Sequence, residues 1–139
     1  MSDRRLAGGV ALVDGALLIV GARLPWLTLF AGLQRLPGTQ GSYGWALVVA
    51  GLAVALVGAG MAVGRLPDLR RPLGALGLVA LGFCLWLLDG QRAVLSELRR
   101  TPIYVPRGGP GIAVATVGAA MLALLGPWGW WAKRRAGRT

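Results

Sequence analysis

Residues 45–64 read WALVVAGLAVALVGAGMAVG, twenty positions without a charge. About 20 mostly apolar residues in a helix cross the hydrocarbon core of a bilayer, so this stretch by itself predicts a membrane span. Three further stretches read the same way on either side of it. Residues 6–22, LAGGVALVDGALLIVGA, hold one charge, Asp14. Residues 73–88, LGALGLVALGFCLWLL, are short but can borrow from Asp89 onward. Residues 111–132, GIAVATVGAAMLALLGPWGWWA, are interrupted only by Pro127. Glycine recurs in all four, as spanning helices tolerate. The expected architecture is an all-α integral membrane four-helix bundle, one domain over residues 1–139. Arg4 and Arg5 give the first span the look of a signal peptide. With Asp14 inside its apolar part and no small-x-small site after it, it reads as a retained helix.

Of 139 residues, 55% are hydrophobic and 14% charged, against roughly a quarter charged in an ordinary soluble domain. Lys plus Arg number 15 and Asp plus Glu 5, a net charge of +10. In a soluble chain that balance points to nucleic acid. Here the basic residues bracket apolar runs, so no nucleic-acid partner is expected and the charges set topology. With the N-terminus inside, Arg4, Arg5, Arg65, Arg70, Arg71, Lys133, Arg134, Arg135 and Arg138 are cytoplasmic. Arg23, Arg35, Arg92, Arg99, Arg100 and Arg107 fall in longer outer loops. Both termini should therefore face the cytoplasm. A single lysine, Lys133, among many arginines, with Ala, Gly, Leu and Val abundant, fits GC-rich codons and a bacterial plasma membrane. Trp26, Tyr43 and Trp45 mark one interface and Trp128, Trp130 and Trp131 the other.

The outer loops carry strand signals. Trp26–Phe30 and Leu33–Leu36 flank Ala31-Gly32 and suggest a hairpin, ended by Pro37-Gly38 and followed by a flexible loop, TQGSYG at 39–44. Ile103–Val105, between two prolines, reads as an edge strand. Residues 90–100, GQRAVLSELRR, read as helix projecting beyond the bilayer. The bundle should thus bear a small extracytoplasmic β-hairpin cap.

Lipid supplies no hydrophobic drive for helix pairing, so small residues that let backbones approach must supply the contact. Gly111, Ala115, Ala119 and Ala123 lie four apart on the fourth helix. The second repeats the pattern with Gly51, Ala55 and Ala59, and again with Gly60 and Gly64; the first has Ala7, Ala11 and Gly15. These stripes predict a tight antiparallel bundle or a homodimer seam.

GARLPW at the end of the first helix, GTQGSYGW leading into the second, the basic turn RLPDLRRPLG, and GGPGIAVATVGAAMLALLG at the last helix resemble small uncharacterised four-helix membrane proteins of actinobacterial type. The layout is similar to that of the tryptophan-associated transmembrane family. The resemblance covers nearly the whole chain, implies topology and supplies no chemistry.

Asp14 is the sharpest chemical signal. It lies eight residues into its span, about 12 Å along the axis and near the bilayer midplane. A carboxyl there is neutral, paired or facing a polar cavity. It is a candidate proton or cation site, or else a structural hydrogen-bonding group. Arg5 and Arg23 are each nine positions away on the opposite helical face, so neither is an easy partner. Arg107, Gly108 and Gly109 precede a helix N-terminus and are candidates for anion or lipid contact. The RLPDLRR and KRRAGR segments can meet anionic headgroups. Asp89 and Glu97 can pair with Arg92 and Arg100 along the projecting helix.

With no histidine and one cysteine, Cys84, no disulfide, no metal site built on His or several Cys, and no cofactor are expected. Ser2, Ser42 and Ser96 lack the surroundings of an activated nucleophile, so the chain does not read as an enzyme. The expected role is that of a non-catalytic accessory or scaffold subunit, associating with itself or another membrane protein and in contact with lipid. The alternative is a small dimeric transporter coupled through Asp14. An envelope sensor whose outer cap binds a ligand is a third reading.

Overall fold

The computed structural model describes residues 3–137; Ser2 and Arg138 lie outside them. Four helices dominate: α1 (Asp3–Arg23), α2 (Ser42–Ala62), α3 (Arg70–Leu98) and α4 (Gly111–Ala136). Each is long and apolar enough to cross a membrane. The third is 29 residues, about 43 Å at 1.5 Å per residue, so it outruns a bilayer core of ~30 Å. Pro72 falls in its first turn, where a missing N–H removes no helical bond. Pro127 lies within α4, which continues through it to Ala136.

At one end sits a sheet of three short strands: β1 (Pro25–Leu29), β2 (Gln34–Pro37) and β3 (Arg107–Gly108), in the antiparallel order β2-β1-β3. The hairpin pairs Leu27 with Leu36, Thr28 with Arg35 and Leu29 with Gln34. Its turn runs Phe30–Gly32 with φ of 51°, 58° and 95°, a left-handed path that a glycine relieves at the last position.

Two loop expectations are corrected here. The strand at β1's free edge is Arg107–Gly108 and not Ile103–Val105. The ladder needs a backbone that can come close to β1, and a side chain at Gly109 would run into the Pro25 carbonyl. Tyr104 instead touches the hairpin turn, its carbonyl accepting from the Phe30 N–H at 2.6 Å and its ring 5.8 Å from the Phe30 ring. Residues 39–44 hold regular structure where a loop was expected: Gly38–Gln40 makes a 3-10 turn and α2 starts at Ser42. The Trp26 ring covers Gly38, and the Gly38 carbonyl lies against Gly44.

The inner pair of the bundle is α1 and α4; α2 packs on α1, and α3 on α4. Glycines set these contacts. A methyl at Gly8 would stand 2.7 Å from the Gly58 carbonyl oxygen, and one at Gly15 2.5 Å from that of Gly51. One at Gly21 would stand 2.8 Å from the Gly111 carbonyl oxygen, and one at Gly74 2.6 Å from the Gly126 backbone. Gly77 is as tightly set against Leu122 and Ala123. Near the sheet, α2 and α3 meet through rings: Tyr43 lies 5.9 Å from Phe83 and 5.5 Å from Trp86.

Two apolar clusters divide the interior. Leu18, Ala22, Leu47, Cys84 and Ile112 belong to the one toward the sheet. Ala7, Ala11, Val54, Met61 and Leu122 belong to the one toward the chain termini.

Glycine function is separable by substitution. Gly15→Ala and Gly77→Ala should each lower unfolding stability by about 1–3 kcal/mol through overpacking against backbone. Gly9 and Gly82 face open space, so alanine there should be neutral or stabilise by up to ~1 kcal/mol through helix propensity. Denaturation in mild detergent followed by circular dichroism measures both pairs; equal losses at all four positions would defeat the packing account.

Candidate functional site

Asp14 is fully buried, 0% exposed. Its position on α1 follows from the helical repeat: Ala7, Ala11, Asp14, Leu18 and Ala22 form one buried stripe. Ala11 belongs to one apolar cluster and Leu18 to the other, so Asp14 occupies the seam between them. Its own backbone is close to α4, where a methyl at Gly118 would meet the Asp14 carbonyl at 3.2 Å. Neither carboxyl oxygen has a hydrogen-bond partner among the described residues. A buried polar group left unpaired costs about 1–3 kcal/mol, and a charged one more.

The positions expected to pack helices fall into two groups. Gly51, Gly111, Ala115, Ala119 and Ala123 are buried; a methyl on Gly15 would also meet Ala55. Ala59 is half-buried. Gly51 meets Gly15, Gly111 and Ala115 meet Gly21, and Ala123 meets Gly77, so these positions face neighbouring helices of the bundle. Gly60 and Gly64 belong to the end of α2 and not to a helix–helix face. Gly64 has φ +83°, with its N–H donating to the Met61 carbonyl and the next N–H, of Arg65, to that of Gly60. That is a Schellman stop, whose left-handed residue favours glycine. Gly60 is covered by Leu66 from the following loop.

Arg107 and Gly108 form β3, and Gly109 follows directly after it. Gly108 pairs with Leu27, the Thr28 hydroxyl donates to the Arg107 carbonyl at 3.3 Å, and the Gly109 N–H donates to the Trp26 carbonyl at 3.0 Å. The Gly109 donor expected to meet an anion is thus already engaged. Of the ion pairs expected on α3, Arg100–Glu97 forms at 3.3 Å and is solvent-exposed, where such a pair contributes little.

Sequence reasoning placed Trp26 in an interface belt and in the first hairpin strand, and the structure adds that it ties together the end of the bundle that bears the sheet. Its indole N–H donates to the Gly21 carbonyl at 2.9 Å, and its ring lies against Gly38 and Gly111. The Gln91 side-chain amide donates to the Trp26 carbonyl. The polar Gln91 just past an apolar run was the available signal.

The opposite end holds the second buried charged residue, Arg70, 9% exposed. Its Nε donates to both Asp68 oxygens at 2.9 and 3.0 Å, and its Nη2 pairs with Asp68 at 2.9 Å. The Asp68 carboxyl is held below the ordinary carboxylate range, chiefly by that side-chain hydrogen bond and against partial desolvation. It is therefore ionised at neutral pH, and the stability it contributes is lost as pH falls through its lowered value.

Compared with known proteins, the chain matches no family model, no curated protein and no solved structure.

The unpaired Asp14 yields a signed prediction. Asp14→Ala removes two unsatisfied buried oxygens and leaves a small void, so its unfolding stability should equal or exceed wild type by ~1 kcal/mol. A loss above that size, measured in the same detergent titration, would mark Asp14 as a structural anchor.

Proposed function

We propose that this chain is a non-catalytic multi-pass protein of a bacterial plasma membrane, both termini cytoplasmic, acting as an accessory or scaffold subunit of a membrane assembly. The observation that carries this reading is the interior. Among the described residues only Asp14 and Arg70 are buried polar or charged side chains, and the helices meet at glycine backbone distance. Such a core suits a fixed scaffold better than a conduit, which needs a polar path. The charge distribution supports the orientation, and the likeness to tryptophan-associated transmembrane proteins is proposed as one of layout.

Because the glycine faces are taken up within the chain, association has to use the outward apolar surface. Leu12, Leu56, Val79 and Leu124, one per helix, are 42%, 65%, 70% and 66% exposed. Single cysteines at these four positions, in a Cys84→Ser background, should identify the contact face by oxidative cross-linking in native membranes. The expected result is one or two adjacent positions joining the chain to a neighbour in fixed stoichiometry. Uniform absence of cross-links, with the protein monomeric by native mass spectrometry, would overturn the accessory reading.

A second reading rests on Asp14, a buried membrane acid without a partner, which is a functional-site hypothesis by default. As a coupling acid in a small transporter it would need the bundle to open, since apolar clusters close it on both sides. In vesicles bearing a pH gradient, wild type should dissipate the gradient faster than Asp14→Asn. Equal rates would dismiss this reading.

A further inference from the structure

Arg70 has a feature that its pairing with Asp68 does not explain. Nε and Nη2 hold the carboxylate, but Nη1 is buried and has no partner among the described residues. The side-chain stem lies across α4 at Gly129, where an added methyl would stand 3.4 Å from the Arg70 Cβ. Arg70, Asp68, Arg71, Pro72, Gly129 and Lys133 together line an open cavity of about 270 Å³. Three cations and one carboxylate thus line one space at the first turn of α3, where the Arg70 backbone N–H already donates to Asp68 at 3.2 Å. Two basic segments far apart in sequence, the α2–α3 turn and the last turns of α4, build it jointly.

Two neighbouring basic side chains on α4 are engaged elsewhere. The Arg134 guanidinium lies 3.5 Å over the Trp130 ring and that of Arg135 3.7 Å over Trp131. Arg71 and Lys133 are exposed and border the cavity. Asp68 already occupies three donors of Arg70, its backbone N–H, Nε and Nη2, as an internal anion holding part of a site that can take more negative charge.

The geometry points to a phosphate-binding site at the terminal end of the bundle, formed by Arg70, Arg71 and Lys133 and moderated by Asp68, that holds the phosphate of an anionic phospholipid headgroup or a soluble phosphate. Arg70 is the preorganised donor, with its fork fixed by Asp68 and by packing on α4. Arg71 and Lys133 supply charge from the rim. Nη1 itself is covered, so a phosphate entering the cavity meets Arg71 and Lys133 first and gains Nη1 only as the Arg70 side chain turns toward it; charge-assisted contacts to guanidinium are strong. Where α4 carries Trp128, Trp130 and Trp131 just before Lys133, the cavity falls at headgroup depth in a membrane.

The test uses the full chain in nanodiscs of phosphatidylglycerol or phosphatidylcholine, with retained lipid counted by native mass spectrometry. Retention of phosphatidylglycerol, and not phosphatidylcholine, is expected at wild type. Each of Arg71→Gln and Lys133→Gln should weaken it about fivefold, and the pair about thirtyfold. Asp68→Asn should tighten it, a direction that a merely structural role for Asp68 would not produce. If inorganic phosphate binds in phosphatidylcholine discs with the same variant order while phosphatidylglycerol is not retained, the site stands and its ligand is soluble. Arg134→Gln with Arg135→Gln is the control for diffuse surface charge and should change little. Losses there equal to those at Arg71 and Lys133, or no retention of either probe, would overturn the site.

Discussion

The close passage of α1 between α2 and α4 governs the rest of the molecule. Helices apolar enough to cross a membrane would gain little from leucine burial against lipid, so close backbone approach is the contact that would hold them together there. Gly8 and Gly15 bring α1 onto α2, while Gly21 and Gly118 bring it onto α4. These two lines of contact place α1 at the centre and leave α2 and α3 on the flanks, joined near the sheet through Tyr43, Phe83 and Trp86. The sheet depends on the same geometry. Only with the end of α1 against the start of α4 can the Trp26 indole reach Gly21 while its ring rests on Gly111.

That arrangement also decides what surrounds Asp14. Its stripe on α1 faces inward because the glycines on either side of it face neighbouring helices. The carboxyl therefore lies in the seam between two apolar clusters, without a donor from any described side chain. An unpaired buried acid costs free energy that an apolar residue in the same place would not.

Much of this was legible in the sequence, for reasons that differ by element. The uncharged run at 45–64 reads as a span because length and composition suffice, and the hairpin reads from strand formers around a short turn. Gly51 and the Gly111–Ala123 stripe are visible from four-residue spacing. Gly60 and Gly64 have the same spacing yet do another task, because a Schellman stop and a helix-packing stripe look alike until the helix end is known. Gly58 and Gly77 were passed over, since spacing does not tell which of several glycines meets a neighbouring backbone. Ile103–Val105 has the better strand composition, but Arg107–Gly108 has the backbone room. The basic cavity was invisible in one dimension: Asp68 and Lys133 are 65 positions apart, and only the antiparallel return of α4 brings them together.

The two buried charged residues can be weighed against each other. Arg70 lies at the bundle's rim with its charge largely answered by Asp68, and the residue lines an open cavity while its one unpaired nitrogen is covered. Desolvation there is shallow and a ligand can complete the shell. Asp14 lies deep, with two free oxygens and apolar neighbours on both sides along the axis. An external ligand reaches the first without disturbing helix packing, whereas reaching the second requires parting contacts held at glycine distance. The proposed phosphate site at Arg70 therefore asks little of the helix packing, whereas the proposed coupling role of Asp14 asks for the bundle to part.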